Sequence, residues 1–402
     1  VRKLMTIGIC GGGLLLLFIL AVNTKAIPSF ARKYQTSCST CHYAFPRLNK
    51  FGRAFLNNGL RYPGDDKDYS KDEAVSLGSD AQKKVFPNAI WPSDIPGQPP
   101  IGFRWASRMH YTPDQKGDEF TFENPHELEA FTGGTLGDNM SFFFELEWEH
   151  VQEFGYGGWL DYKFSSPFHL RLGNIDFMPF HDAQRLTVEH YDYGQFSEMD
   201  GAGILLWGAV NGPSGKGGFK WETTVYNGEN DGVENIDLNA SKDVFASASY
   251  KIGGMGVLGS TGASETSAFW KDGYAVTLGG FGHFGKSADQ TKRRNFGGTV
   301  DFFAEDLNVF GFYMLSQEKA PFTIEYMDTK RAFLEADYVV YPWLIPLARF
   351  EYRKPEQGAT VQSIVPAVVI MVRANVRLIP TGRIGLHNSE PNHYDLDVMV
   401  GF

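Results

Sequence analysis

Cys38-Ser39-Thr40-Cys41-His42 sets two thiols three positions apart, with an imidazole directly after the second. That spacing suits covalent attachment and ligation of one c-type haem. Cys38 and Cys41 can form thioethers to the two vinyl groups of a single porphyrin, and His42 is carried beneath the iron. Two other readings of a C-x-x-C pair fit less well. The chain has three cysteines, and the third, Cys10, lies in an N-terminal apolar segment that export would remove. A zinc site would need two further ligands from distant histidines or carboxylates, and a thioredoxin-like pair would need a βαβ setting that the sequence lacks.

Other chemistry-bearing groups are scattered. Asp114, Asp118, Glu119 and Glu123 form one acidic group and Glu229, Asp231, Glu234 and Asp237 another; such clusters focus cations. His181 and His190, with Asp182, Glu189 and Asp192, form a third, whose spacing is not diagnostic of a metal site.

The motif follows an export leader. Arg2 and Lys3 precede an apolar run from Ile7 to Val22, and Thr24-Lys25-Ala26 has small residues at the cleavage positions, which predicts a signal peptide over residues 1–26. The run is short and is broken by Gly11 to Gly13, which disfavours an uncleaved anchor. Haem attachment of this type happens outside the cytoplasmic membrane, so leader and motif agree. Removing Arg2, Lys3 and Lys25 takes the formal charge from −10 to −13, a surface unsuited to nucleic acid.

High aromatic content (15%), 45 glycines and a slightly negative mean hydropathy are natural for a transmembrane β-barrel. From Ile101 the alternation is explicit. Phe103, Trp105, Met109 and Tyr111 interleave with Arg104, Arg108 and His110; Phe142, Phe144, Leu146 and Trp148 interleave with Glu145, Glu147 and Glu149. The pattern returns around Glu335 and Asp337, Arg349 to Arg353, and Arg377 to Arg383. Sixteen such segments are countable from 101–112 to 393–402, with long connections such as 113–125 and 177–199 alternating with short ones such as 305–306. The stretch Gly253 to Asp272 is long where a short turn is due, which leaves eighteen strands open. Tyr394, Leu396, Val398, Val400 and Phe402 alternate up to a terminal aromatic, as in a last strand recognised by outer-membrane assembly machinery.

The expected fold is therefore mainly β: residues 27–62 as a small helical haem segment, 63–100 as a linker rich in charge, Pro and Gly, and 101–402 as an antiparallel outer-membrane barrel of about sixteen strands. With Pro46 in its first turn, a helix would present Leu48, Phe51, Phe55, Leu56 and Leu60 as an apolar stripe able to cover a haem face. So short a segment cannot bury an independent core, which predicts that it packs in the barrel lumen or at its periplasmic mouth. Between Ile27 and Pro100 there is no methionine and no histidine besides His42. A strong second iron ligand would then come from the barrel, and by parity the lumen-facing candidates are His110, His169, Met314, His393 and Met399. Otherwise the ligand is weak: lysine, asparagine or water.

Ile27-Pro28-Ser29-Phe30-Ala31-Arg32, Phe45-Pro46-Arg47-Leu48, Phe51-Gly52-Arg53-Ala54-Phe55 and Asn58-Gly59-Leu60, set around the motif and followed by a barrel of about three hundred residues, resemble the fused monohaem cytochrome-porins of the bacterial outer membrane. The resemblance implies one covalent haem c on Cys38, Cys41 and His42, with His42 as the proximal iron ligand. It also implies a role in which electrons from extracellular Fe(II), or another donor, pass to a periplasmic c-type cytochrome, as in an Fe(II) oxidase. Outer-membrane lipid would surround the barrel. Outward electron transfer to extracellular acceptors, a porin-type transport channel with an accessory haem, and a haem peroxidase are the alternatives to weigh.

Overall fold

Successive side chains of a strand point to opposite faces, and in this chain the two faces become the inside and outside of a closed barrel. Sixteen antiparallel strands run from Ile101–Tyr111 to His393–Gly401, each bonded to its neighbours in sequence, and the last pairs with the first from Tyr394 opposite Tyr111 to Gly401 opposite Arg104. Phe402 and Phe103 then exchange two backbone hydrogen bonds, of 2.8 and 2.5 Å. The structure, a computed structural model, describes residues 29–402 apart from 65, 72, 91–93, 98, 114–119, 150–152, 177–184, 186–199, 229–240, 260–269, 288 and 387–391. The leader, Cys10, the acidic residues Asp114, Asp118, Glu119, Glu229, Asp231, Glu234 and Asp237, and the cluster His181, Asp182, Glu189, His190 and Asp192 all lie outside the described residues.

Outward-facing Phe103, Phe144, Leu146, Tyr156 and Leu334 are exposed, a surface that fits a hydrocarbon layer, whereas Arg108, Glu335, Asp337, Arg349 and Glu351 are buried inside. The interior departs from a uniformly polar lumen. Trp207, Phe245, Phe281, Phe312, Met314 and Phe333 belong to one buried apolar cluster, because consecutive residues such as Phe312 and Tyr313 make both faces of a strand apolar.

Two expectations about strands change. The second strand is Phe120–Leu136, so Glu123 and Pro125 are strand residues rather than parts of a loop. Among the described residues, the long connection after Gly253 forms no extra hairpin, and sixteen strands close without it. Its Val257 and Leu258 carbonyls instead accept hydrogen bonds from Asn57 and Asn58 of the N-terminal segment, at 2.9 and 2.8 Å.

That segment is bonded to the barrel on many sides. It comprises helix α1 (Ser29–Tyr34), a 3-10 turn over Cys38–Thr40, the short antiparallel strands β1 (His42–Ala44) and β2 (Arg47–Leu48), and helix α2 (Lys50–Asn57). Arg32 donates to the Pro99 and Ile101 carbonyls, Arg61 to those of Gly137 and Met140, and Arg53 to Asp301 at 3.1 Å. These contacts gather at the end of the barrel where the connections are short. The linker is more structured than its composition implies: helices α3 (Asp66–Tyr69) and α4 (Asp80–Val85) and a bridge between Val75 and Ile95 form within it.

Candidate functional site

Helix α2 begins later than the sequence expectation. Pro46 lies in the turn between β1 and β2, and Asn49 is the cap, its side-chain oxygen accepting the Gly52 N–H at 2.9 Å. The same side chain donates to the Ser39 and Thr40 carbonyls at 3.0 and 3.1 Å, and the Asn49 N–H donates to the Cys41 carbonyl at 2.9 Å. One residue thus closes the helix N-terminus and fastens the Cys38 to His42 turn to it, satisfying backbone groups that would otherwise be left unpaired.

Cys38, Cys41 and His42 open onto one cavity of about 360 Å³. Leu48, Phe55, Leu56 and Leu60 line it from the N-terminal segment, while Phe51 packs on Tyr62 instead, ring centres 4.7 Å apart. The barrel supplies the opposite wall: Arg104, Glu129, Phe131, Phe143, Glu145, Trp159, Arg171 and Asn174. His42 Nδ1 is 2.9 Å from the Pro46 carbonyl oxygen. A carbonyl only accepts, so Nδ1 carries the proton and the Nε2 lone pair is left for a metal. Burial holds the His42 pKa down to about 4, and the Arg377 charge adds to this, so the imidazole is neutral near pH 7, its metal-binding form. Burial pushes the Cys38 thiol up and the Cys41 thiol up to about 12. A dithiol redox centre needs the opposite.

These residues fit a c-type haem. Two thiols and an imidazole converge on one largely apolar cavity; Asn174 Oδ1, which lines it, is buried with no hydrogen bond among the described residues, as are Nε and Nη1 of Arg377, which is not a lining residue but whose charge acts on His42.

Among the described residues, none of the five barrel candidates for the second ligand lines this cavity. His110 bonds to Asp395 at 2.5 Å and Thr112 at 2.7 Å, with His393 beside it at 5.4 Å. His169 bonds to Asp161 at 2.9 Å and lies over Trp207, Met314 belongs to the aromatic cluster, and Met399 is buried opposite Arg377 and Ala106. The cavity wall offers oxygen donors instead, from Glu129, Glu145 and Asn174. Glu127, Glu129 and Glu147 bring carboxylate oxygens within 4.8 Å of one another, and Arg104 bonds to the first two, meeting part of that charge.

Sequence reasoning missed the second anchor of the segment. Arg47 and Arg185, both buried, donate to Asp337 at 2.9 and 3.3 Å and to Asn308 at 2.5 and 3.1 Å; Tyr43 donates to Asp337 at 2.7 Å, and Arg185 also to Glu335 at 2.6 Å. Parity marked Asp337 as lumen-facing. Nothing local in the sequence pairs it with residues about 290 positions away.

No protein-family model matches the chain, and no curated protein does. Solved structures match in shape. A loop-deleted form of OmpT, an outer membrane protein of Vibrio cholerae, superposes with a TM-score of 0.53 at 12% identity, over 75% of this chain and 98% of that one. The anion-selective porin from Comamonas acidovorans gives 0.55 at 10% identity over 75% and 98% of the two chains, and Salmonella typhi OmpF in complex with daunomycin 0.50 at 11% over 75% and 97%. At such identities the likeness shows the fold alone. The chain is a sixteen-stranded porin-type barrel that shares with its N-terminal segment a thiol- and imidazole-lined cavity.

Proposed function

We propose that this protein is an outer-membrane electron-transfer barrel that holds one covalent c-type haem in its lumen and takes electrons from extracellular Fe(II) for a periplasmic c-type cytochrome. The observation that carries the reading is that Cys38, Cys41 and His42 share a cavity whose far wall is the barrel itself. Bound there, haem supplies a one-electron iron couple tuned by axial ligation, burial and hydrogen bonding. The chain's own groups have definable tasks. Pro46 orients the His42 ring through Nδ1, leaving Nε2 for the iron. Phe131, Phe143 and Trp159 cover the lumen side with apolar surface, and Glu145 places a carboxylate in the same wall where a cationic donor approaches. The barrel crosses a hydrocarbon band about 25 Å tall that contains no electron carrier of its own.

The reading is tested by making the full chain in a host that attaches c-type haem. The purified protein is expected to keep its haem colour after denaturation, and added Fe(II) is expected to reduce it, watched at the haem band. Failure of Fe(II) to reduce the loaded protein at any working pH excludes iron oxidation. A transport channel shares this fold, and planar-bilayer conductance separates the two. A lumen filled by the N-terminal segment passes little current, whereas an open porin passes a large one.

A further inference from the structure

Arg377 stands near the short-turn end of the strand Val376–Leu386, faces the lumen and is 2% exposed, yet its Nε and Nη1 have no hydrogen-bond partner among the described residues. A guanidinium buried with unmade bonds is destabilising unless an anion meets it. Register shows what surrounds it. Arg377 pairs with Met399 and Met399 with Ala106; two residues further along that strand, Gly401 pairs with Arg104. Phe45 lies against Gly401, its ring 3.4 Å from where a β-carbon would stand, and packs on His42 with ring centres 5.2 Å apart. Arg377 and Arg104 therefore flank the patch of wall on which the His42 turn rests.

The carboxylates nearby are already engaged. Glu127 and Glu129 bond to Arg104, and Asp397 accepts from Arg108 at 2.7 Å. Among the described residues no carboxylate bonds to Arg377 Nε or Nη1, and the group implied by Cys38, Cys41 and His42 carries two, the propionate carboxylates of the porphyrin edge.

We propose that Arg377, with Arg104 beside it, receives a haem carboxylate, so that the cofactor supplies the hydrogen-bond acceptor that Nε and Nη1 lack. This rests on the proposed haem binding. It assigns a barrel residue to a cofactor whose covalent attachments all lie in the N-terminal segment, and it makes haem a tie between the two.

The test compares Arg377→Gln and Arg377→Lys in the haem-loaded chain and in the haem-free chain carrying Cys38→Ser and Cys41→Ser, reading the temperature at which the detergent-resistant folded form is lost. If the carboxylate is bound, R377Q lowers that temperature in the loaded protein, because a buried anion loses its partner, and raises it in the haem-free protein, because an unpaired cation is removed. The loaded R377Q chain also shows a lower midpoint potential, by about 59 mV for a tenfold change in a one-electron couple, since the oxidised iron is favoured when a positive charge is lost. R377K stays close to the native chain in both readouts. A shift of the same sign in loaded and haem-free chains overturns the assignment while leaving haem binding intact. A native chain that acquires no haem overturns both.

Discussion

Gly52→Ala is expected to break the junction between the haem motif and its helix. A β-carbon at Gly52 would stand 2.0 Å from the Cys41 carbonyl oxygen, 2.9 Å from the Cys41 carbonyl carbon and 2.9 Å from Leu48 Cδ2. Two of these three atoms are backbone, and the oxygen also accepts the Asn49 N–H, so relief requires moving the Cys41–His42 chain or the start of helix α2. Either movement pulls the thiols and imidazole away from Phe55 and Leu56, which line the same cavity. Overpacking a tight site costs about 1–3 kcal/mol, occasionally more, and the loss of the Asn49 contacts adds to it. The expected result is a sharp fall in haem per mole of protein and a lower temperature for loss of the folded form. Gly280→Ala is the matched control, because its β-carbon would meet nothing nearer than the Gly297 carbonyl oxygen at 3.9 Å. Equal behaviour of the two variants would mean that the Cys41 contact is not a constraint in solution.

The barrel was legible because one sequence property, alternation, maps onto one structural property, the inward or outward direction of a strand residue. Alternation alone marks Arg104, Glu145, Arg349 and Arg377 as lumen-facing. Alternation carries no information about depth or about position around the wall. His110 and His169 looked equivalent as iron ligands, yet one bonds Asp395 and the other Asp161, and neither lines the cavity. The Phe120 end of the second strand was hidden because Glu123, Asn124 and Pro125 have loop chemistry, although cross-strand pairing carries the ladder to Tyr111 opposite Phe120. The long connection after Gly253 looked like room for two more strands. Its Val257 and Leu258 hold Asn57 and Asn58 instead, a contact across 200 positions in sequence that no local pattern announces. The C-x-x-C-H turn was legible in its chemistry. Its partners Arg104, Glu129 and Asn174 were not, because they are brought to it only when the barrel closes.

Asp337→Asn is expected to loosen the N-terminal segment within the barrel more than any change to a single one of its partners. Asp337 is 1% exposed and takes bonds from Arg47, Arg185 and Tyr43 together, so one carboxylate touches two buried guanidinium groups and is the one carboxylate bonded to Arg47 among the described residues. Glu335 shares Arg185 but is also bonded to Arg349 at 3.3 Å, and Asn308 is neutral, so when the charge is lost Arg47 keeps only the longer-range attraction of Asp301 and Glu335, with no carboxylate bonded to it. Removing one member of a buried ion pair costs about 3–5 kcal/mol because the other is stranded. Arg47→Met is predicted to cost less, since Asp337 then keeps Arg185 and Tyr43 and no cation is left alone. Arg185 lies between the strands Phe168–Asp176 and Asp200–Asn211, so the same carboxylate also joins that residue to the N-terminal segment. Its loss should therefore raise planar-bilayer conductance as well as lower the temperature at which the folded form is lost, with D337N above R47M and both above the native chain. The reverse order would show that the energy resides in the guanidinium's packing over Tyr43, 4.3 Å from the ring centre, rather than in charge balance. Identical currents in all three chains would show that the segment blocks the lumen without help from this anchor.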